Sequence, residues 1–290
     1  MNAPRPATPF SRAVRERLRT RCLGRPMEGH ARLGSTNERA LAWAADGGEP
    51  EGAVVTADEQ TAGRGRHGRR WHAQPGQNLT FSVVLRPAAA SADRAALPPN
   101  RFGLLGPAGG LAACEAVADV LGTDGDSPAP ALKWPNDVMI GGAKCCGVLL
   151  ETPAAASKRA PVVLGVGLNV NQRAFPGVHS KRDPRRPAPT SLAQVAGRPV
   201  ERAALLAQIL RRLEARYDSL FDETGRAAVR AACETHLTAL GERVTVERFR
   251  SGERLGGVFE GLAPDGAMRL RTADGEEHVL HAGDVTRRSE

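Results

Sequence analysis

The sequence predicts an α+β protein in two unequal parts, and three observations carry that reading. Strand-like and helix-like stretches are interspersed up to about residue 239. Two of the strands are separated by one loop and return directly on each other, which suggests an antiparallel pair. From Gly241 the texture changes to short β segments with turn glycines, the pattern of a small β-barrel whose thin core leans on the larger part. Composition is compatible with this. At 290 residues with 41% apolar content the chain can build a substantial core, and no run reaches the roughly 18 apolar residues of a membrane helix.

Cysteine usage and charge narrow the class. Five cysteines, with Cys145 and Cys146 adjacent, form no disulfide framework and fit no common metal-ligand spacing, so a reducing cytosol is the expected setting. Residues 1–26 hold seven arginines against the single Glu16, most of the net charge of +8. Such a segment can touch phosphates. No recognition helix or zinc knuckle follows it, and it lacks a signal-peptide core. It reads as a short basic arm leading into the first helix.

In chain order, Ser35 followed by Glu38 is a capping-box pattern ahead of a helix through Ala40–Ala45. Residues 52–60 read as a strand running into the loop Gly63–Trp71, and residues 78–86 as its returning partner. An Ala/Pro-rich loop over 88–101 precedes an alanine-rich helix over 104–121. Residues 132–140 form a strand interrupted by a proline turn, and Gly141-Gly142 reads as a hairpin into residues 144–151. A further strand covers 162–170. Residues 172–188 are rich in proline and arginine and read as a mobile surface loop. Thr190-Ser191-Leu192 opens a helical region, followed by helices near 200–221 and 225–239.

The loop Gly63-Arg64-Gly65-Arg66-His67-Gly68-Arg69-Arg70-Trp71 is the densest motif. Its glycines free the backbone for crowded or left-handed conformations, and its arginines supply fixed charge and N–H donors. It can fold over an anion or remain a solvated basic loop. The spacing satisfies Gly-x-Gly-x-x-Gly, but Trp71-His72-Ala73-Gln74-Pro75-Gly76 starts no helix, which excludes the dinucleotide fold. Arg69-Arg70 in place of Lys-Ser or Lys-Thr excludes a P-loop. Repulsion among Arg64, Arg66, Arg69 and Arg70 predicts a loop that is mobile when free and ordered by an anion.

Lys133 stands at a strand-to-proline turn, and Asn136, Asn169 and Asn171 supply amides at strand ends. Each residue alone also fits a bland role, a snorkelling lysine or a turn asparagine. Together, cations and neutral amides without a Ser-His-Asp set or paired acids point to anion positioning.

The motifs Gly63–Trp71, Lys133-Trp134-Pro135-Asn136-Asp137, Gly147-Val148-Leu149-Leu150-Glu151 and Gly165-Val166-Gly167-Leu168-Asn169 closely resemble those of biotin protein ligases, in order and separation. Ser35-Thr36-Asn37 ahead of them and the glycine-punctuated barrel behind also match. The resemblance implies a catalytic domain with a mixed sheet, like that of class II aminoacyl-tRNA synthetases, over 27–239. An SH3-like barrel would cover 240–290, after a basic arm over 1–26. It implies that biotin and ATP, with Mg2+, give biotinyl-5′-adenylate, and that a lysine of a biotin carboxyl carrier protein then takes the biotinyl group.

The same resemblance assigns residues. Lys133 and Arg66 are the catalytic candidates. Ser35, Thr36, Asn37, Gln60, Gly63, Arg64, Gly65 and Gly147 join them around biotin. Arg66, Arg69, Trp71, Asn136 and Asn169 are the nucleotide-side candidates, and no protein ligand for a metal is assigned. The expected partner is a carboxylase carrier domain, with no sequence-specific DNA, no membrane, and a monomer or weak homodimer in the cytoplasm. About 30 residues before the motifs cannot form a winged helix, which implies a ligase without a repressor role. Cys145-Cys146 is expected as inert strand packing. A lipoate ligase is the nearest rival, and a non-enzymatic nucleic-acid binder is the rival from another class.

Overall fold

The computed structural model describes residues 5–45, 51–90, 94–122, 127–153, 160–176, 187–249 and 251–287. Most of the expected 172–188 loop therefore lies outside the described residues.

A seven-stranded mixed sheet forms the larger part. Its strands are β1 (Met27–Leu33), β2 (Val54–Gln60), β3 (Leu79–Leu85), β4 (Pro130–Lys133), β5 (Asp137–Ile140), β6 (Ala143–Glu151) and β7 (Val162–Leu168). They lie in the order β1-β2-β3-β7-β6-β5-β4. Only β1 and β2 run parallel, and β2–β3 is the expected antiparallel pair. Gly141 (φ 56°) and Gly142 (φ 79°) turn β5 into β6, where two successive positive φ values favour glycine.

The inner strand β3 is buried along its whole length. Leu79, Phe81, Val83 and Leu85 enter the main core, while Val84 points to the other face, as a side-chain period of two dictates. Burying each of the large ones stabilises the fold by about 1.5–3 kcal/mol. On the second face lies helix α2 (Thr36–Ala45), which places Ala40, Trp43 and Ala44 against Val55, Val84 and Val163. The main core is closed by α3 (Leu105–Leu121), which packs on α5 (Arg202–Ser219), with α4 (Leu192–Ala196) and α6 (Glu223–His236) around them. Adjacent Cys145 and Cys146 are fully buried here, and burial pushes both thiols up, as inert packing requires.

The N-terminal residues contain the expected first helix, but the segment is packed against the fold and is not a free arm. Helix α1 (Pro9–Arg17) starts with a reciprocal cap between Thr8 and Ser11 and packs against α5 and β1. Val14, Leu18 and Leu23 are 4% exposed or less and belong to the main core. The Glu214 carboxylate on α5 accepts the backbone N–H groups of Arg21, Cys22 and Leu23 at 2.8–2.9 Å. The arginines simply face outward from an integrated segment.

The smaller part is a five-stranded antiparallel sheet in the order β11-β10-β9-β8-β12. Its strands are β8 (Arg243–Glu247), β9 (Arg254–Leu262), β10 (Met268–Arg271), β11 (Glu277–Leu280) and β12 (Asp284–Arg287). This is the expected class II synthetase-like domain with an SH3-like appendage. Val246, Phe259, Met268 and Leu270 merge into the main core, so the small sheet does lean on the larger part. Trp134 Nε1 also donates to Gly266 O at 3.2 Å across the junction.

Candidate active site

One row of cross-strand partners makes the floor of the site. Thr80, Gly167, Gly147, Asp137 and Lys133 follow one another across β3, β7, β6, β5 and β4. The two glycines in the middle leave a flat patch. The indole of Trp71 rests on it, so close that a Cβ at Gly167 would meet the ring at 2.3 Å. A Cβ at Gly165, one pleat along, would lie 2.1 Å from Asn37 Oδ1. Above this floor is a cavity of about 580 Å³, roofed by the arginine loop and closed at one side by Gly283, Asp284 and Val285 of the small sheet.

The cavity gathers Ser35, Thr36, Asn37, Gln60, Arg64, Gly65, Arg66, Arg69, Trp71, Lys133, Asn136, Gly147 and Asn169. Of the sequence-predicted site residues only Gly63 is behind the wall, where a Cβ would meet Trp71 O at 2.6 Å. Asn171 is elsewhere. Its amide exchanges hydrogen bonds with the backbone of Val200 and steadies the approach to α5.

At one end the polar groups are interlocked. Gln60 Oε1 accepts from Thr36 N and Oγ1 at 2.7 and 3.1 Å. The Ser82 hydroxyl reaches Thr36 Oγ1 and Asn37 Oδ1, and Asn37 Nδ2 donates to Glu151 Oε2 at 2.6 Å. The Ser35 hydroxyl caps α2 through Glu38 N at 3.5 Å, so the cap reading and the cavity position hold together. At the other end Asn169 Nδ2 donates to Thr190 O, while Asn169 Oδ1 and Trp71 Nε1 are buried without hydrogen-bond partners among the described residues. Unpaired buried polar atoms of this kind are costly unless a ligand pairs them.

The arginine loop corrects the expected source of its order. Arg64 is paired with Glu38 and Glu151, each at 3.0 Å, and Arg69 grips Asp284 of β12 with both terminal nitrogens. Arg66 donates to Asn136 Oδ1 at 3.2 Å, and Arg70 to Thr61 O at 2.9 Å. The protein itself supplies countercharge to Arg64 and Arg69, while Arg66 and Arg70 are held by neutral oxygens. Left-handed backbone occurs at Gly68 (φ 71°) and, beside it, at His67 (φ 58°), whereas Gly63 serves a close approach.

Two lysines enter the cavity where the sequence reading weighed one. The Lys133 side chain has no hydrogen-bond or ion-pair partner among the described residues, although its backbone is paired with Asp137 in the ladder. Burial pushes its pKa down, against the pull of Asp137 and Asp284. Lys144, which the sequence reading passed over, pairs with Asp137 at 2.6 Å and overhangs Gly147 with its Nζ 6.0 Å from the Trp71 ring centroid. Burial likewise lowers the pKa of Arg66. Asp137, Glu151, Ser82 and Asp284 were passed over too. Asp137 and Glu151 stood inside quoted motifs, while Asp284 carried no signal at all.

Residues 31–169 match the Biotin/lipoate A/B protein ligase family, and residues 239–288 match the Biotin protein ligase C terminal domain. The Bifunctional ligase/repressor BirA of Bacillus subtilis is 32% identical over 275 residues, covering 93% of this chain and 76% of that protein. The Biotin--[acetyl-CoA-carboxylase] ligase of Mycobacterium tuberculosis is 35% identical over 256 residues, 88% of this chain and 86% of its own length. Among solved structures, the biotin protein ligase from Aquifex aeolicus in complex with biotin and ATP aligns with a TM-score of 0.71 at 26% identity. That alignment covers 91% of this chain and 99% of the other.

Proposed function

This chain belongs to the Biotin/lipoate A/B protein ligase family as a biotin protein ligase, and from that premise we propose how its side chains divide the reaction. The enzyme uses ATP to activate biotin as biotinyl-5′-adenylate and transfers the biotinyl group to a lysine of a biotin carboxyl carrier protein. One observation carries the residue-level reading: a single cavity holds an interlocked neutral polar end, a flat glycine floor, and two lysines beneath an arginine loop.

The neutral end suits the ureido ring of biotin. Ser35, Thr36, Asn37 and Gln60 present donors and acceptors already fixed by Ser82 and Glu151. The valeryl chain then runs along the Trp71 indole and the Lys144 stem, which cover Gly167 and Gly147. In the first half-reaction a biotin carboxylate oxygen forms a bond to the α-phosphorus while the bond to pyrophosphate breaks. Two anions meet in this step, so pre-set positive charge lowers the barrier most. Lys144, poised over the floor by Asp137, faces the carboxylate. Lys133 and Arg66 face the α-phosphate, with Arg64 and the loop N–H groups closing above. Trp71, Arg69, Asn136 and Asn169 serve the nucleotide side. In the second half-reaction the acceptor amine attacks the biotinyl carbonyl, AMP leaves, and the amine proton passes to solvent.

Magnesium enters as the companion of ATP. Asp137 and Asp284, the described carboxylates lining the cavity, are each paired with a cation, so phosphate oxygens and water would supply most of its ligands. We place the enzyme in the cytoplasm, acting on the carrier domain of acetyl-CoA carboxylase or a related carboxylase, without DNA or membrane partners. Five free cysteines support that setting. The stretch Pro99–Leu121 is long and apolar enough to span a membrane, but it is mostly buried as a core helix. Exchange of labelled pyrophosphate into ATP tests the substrate assignment. It is expected to require biotin and Mg2+, and exchange supported by lipoate alone overturns the assignment.

A further inference from the structure

We propose that Phe249, on the loop between β8 and β9, is a positioning residue for the ligase reaction, acting through His67 to hold the arginine loop over the cavity. The two rings stack with centroids 3.7 Å apart and planes 14° from parallel. Phe249 is 52% exposed, more than any other large apolar side chain described. A phenylalanine so placed adds little to the core, and its one described ring contact is the tip of the loop.

The loop is shaped to make that contact. His67 has φ 58° and ψ 39°, a left-handed conformation that a residue with a side chain keeps only where its surroundings hold it. Gly68 follows at φ 71°. Two residues after the stack, Arg69 grips Asp284 at the start of β12. The loop tip thus meets the small sheet at two points, one apolar and one ionic. Arg66, which donates to Asn136 inside the cavity, is the residue immediately before His67. Release of the tip therefore displaces a cation at the site. Burial and the adjacent arginines push the His67 pKa down, which keeps the stacked ring neutral near pH 7 and adds no further cation to the loop.

The catalytic part of this inference rests on the ligase reading above, and the structural part does not. The full chain is compared with Phe249→Ala and with Phe249→Tyr, which retains a ring. Without substrates, trypsin cleavage between Arg64 and Arg70 is expected to accelerate roughly three- to tenfold in Phe249→Ala, the scale of one aromatic pair, and to return towards the parent rate in Phe249→Tyr. In biotin-dependent pyrophosphate exchange, Phe249→Ala is expected to raise the apparent KM for ATP and to release biotinyl-adenylate faster, with an unchanged thermal midpoint. Equal loop cleavage in parent and Phe249→Ala overturns the proposal, and so does a lowered midpoint with cleavage spread over the whole chain. A parent without biotin-dependent exchange overturns the functional reading instead, and the cleavage comparison still decides the clasp.

Discussion

The floor and the roof of the cavity are built in opposite ways. The floor is one ladder row, Thr80–Gly167–Gly147–Asp137–Lys133, in which each residue is placed by its neighbour's backbone. Its shape follows from strand register, because a slip of one residue would turn every member to the other face. The roof has little internal structure, one Arg64–Arg70 bridge and a single short turn. It is held by side chains distant in sequence: Glu38, Asn136, Glu151, Asp284 and Phe249. The lesson is that the charges for the chemistry are divided between a scaffold fixed by strand register and a strap fixed by side-chain contacts. Partners that a substrate anion can compete for make a strap openable.

The sharpest break in this contrast comes from the floor's cations. Lys144→Ala and, separately, Lys133→Ala are expected to reduce biotinyl-adenylate formation by roughly two to three orders of magnitude each, with the fold intact. Single-turnover adenylation and a thermal melt read both. Turnover within about threefold of the parent for either variant would make that lysine a surface residue.

A smaller effect tests whether the floor is as rigid as its register implies. Gly165→Ala drives a methyl group to 2.1 Å from Asn37 Oδ1 and disturbs the Asn37 contacts with Ser82 and Glu151. The expected loss is about 1–3 kcal/mol of stability, with KM for biotin raised about tenfold and KM for ATP nearly unchanged. Denaturant titration and steady-state kinetics separate the two. Normal stability and biotin affinity would show that the floor yields.

The smallest effect belongs to the roof and to pH. His67 has its pKa lowered by desolvation first, then by Arg66 and Arg69, against the opposing pull of Asp284. A lowered pKa means that the closed loop binds fewer protons than the open one. The closed state is therefore fully favoured above the ordinary histidine range and loses that preference as pH falls through the lowered value. Loop cleavage relative to a reference peptide is expected to rise a few-fold between pH 7.5 and pH 5, and to stay flat in His67→Gln. A flat parent profile would remove His67 from the loop's energetics.

Much of the fold was legible in the sequence for local reasons. Ser35–Glu38, Gly141-Gly142 and the apolar run of β3 each carry their own structural instruction within a few residues. The functional motifs were legible because glycines and arginines are so concentrated in Gly63–Trp71. Lys144 was not, since nothing local distinguishes it from a solvated strand lysine. Only the pairing of β5 with β6 turns it towards Asp137 and the floor. Asp284 and Phe249 lie about 180 residues or more beyond the loop they hold, and no single-residue signal spans that distance. The N-terminal segment misled because arginines dilute the spacing of Val14, Leu18 and Leu23, while the acceptor for its backbone, Glu214, is on α5.

The indole of Trp71 lying on Gly167 also gives this enzyme a built-in optical reporter. The chain has three tryptophans. Trp43 is packed in the small core beneath α2, and Trp134 is tied to Gly266, each only 5% exposed. Trp134 also borders the cavity, but Trp71 is the more open of the two, with an unpaired indole nitrogen and the Lys144 ammonium nearby. Its emission is sensitive to the field of that ammonium and to whatever shares the glycine patch. Intrinsic fluorescence of the unlabelled protein should therefore follow occupancy of the cavity, chiefly through the Trp71 ring, in real time and without a coupled assay.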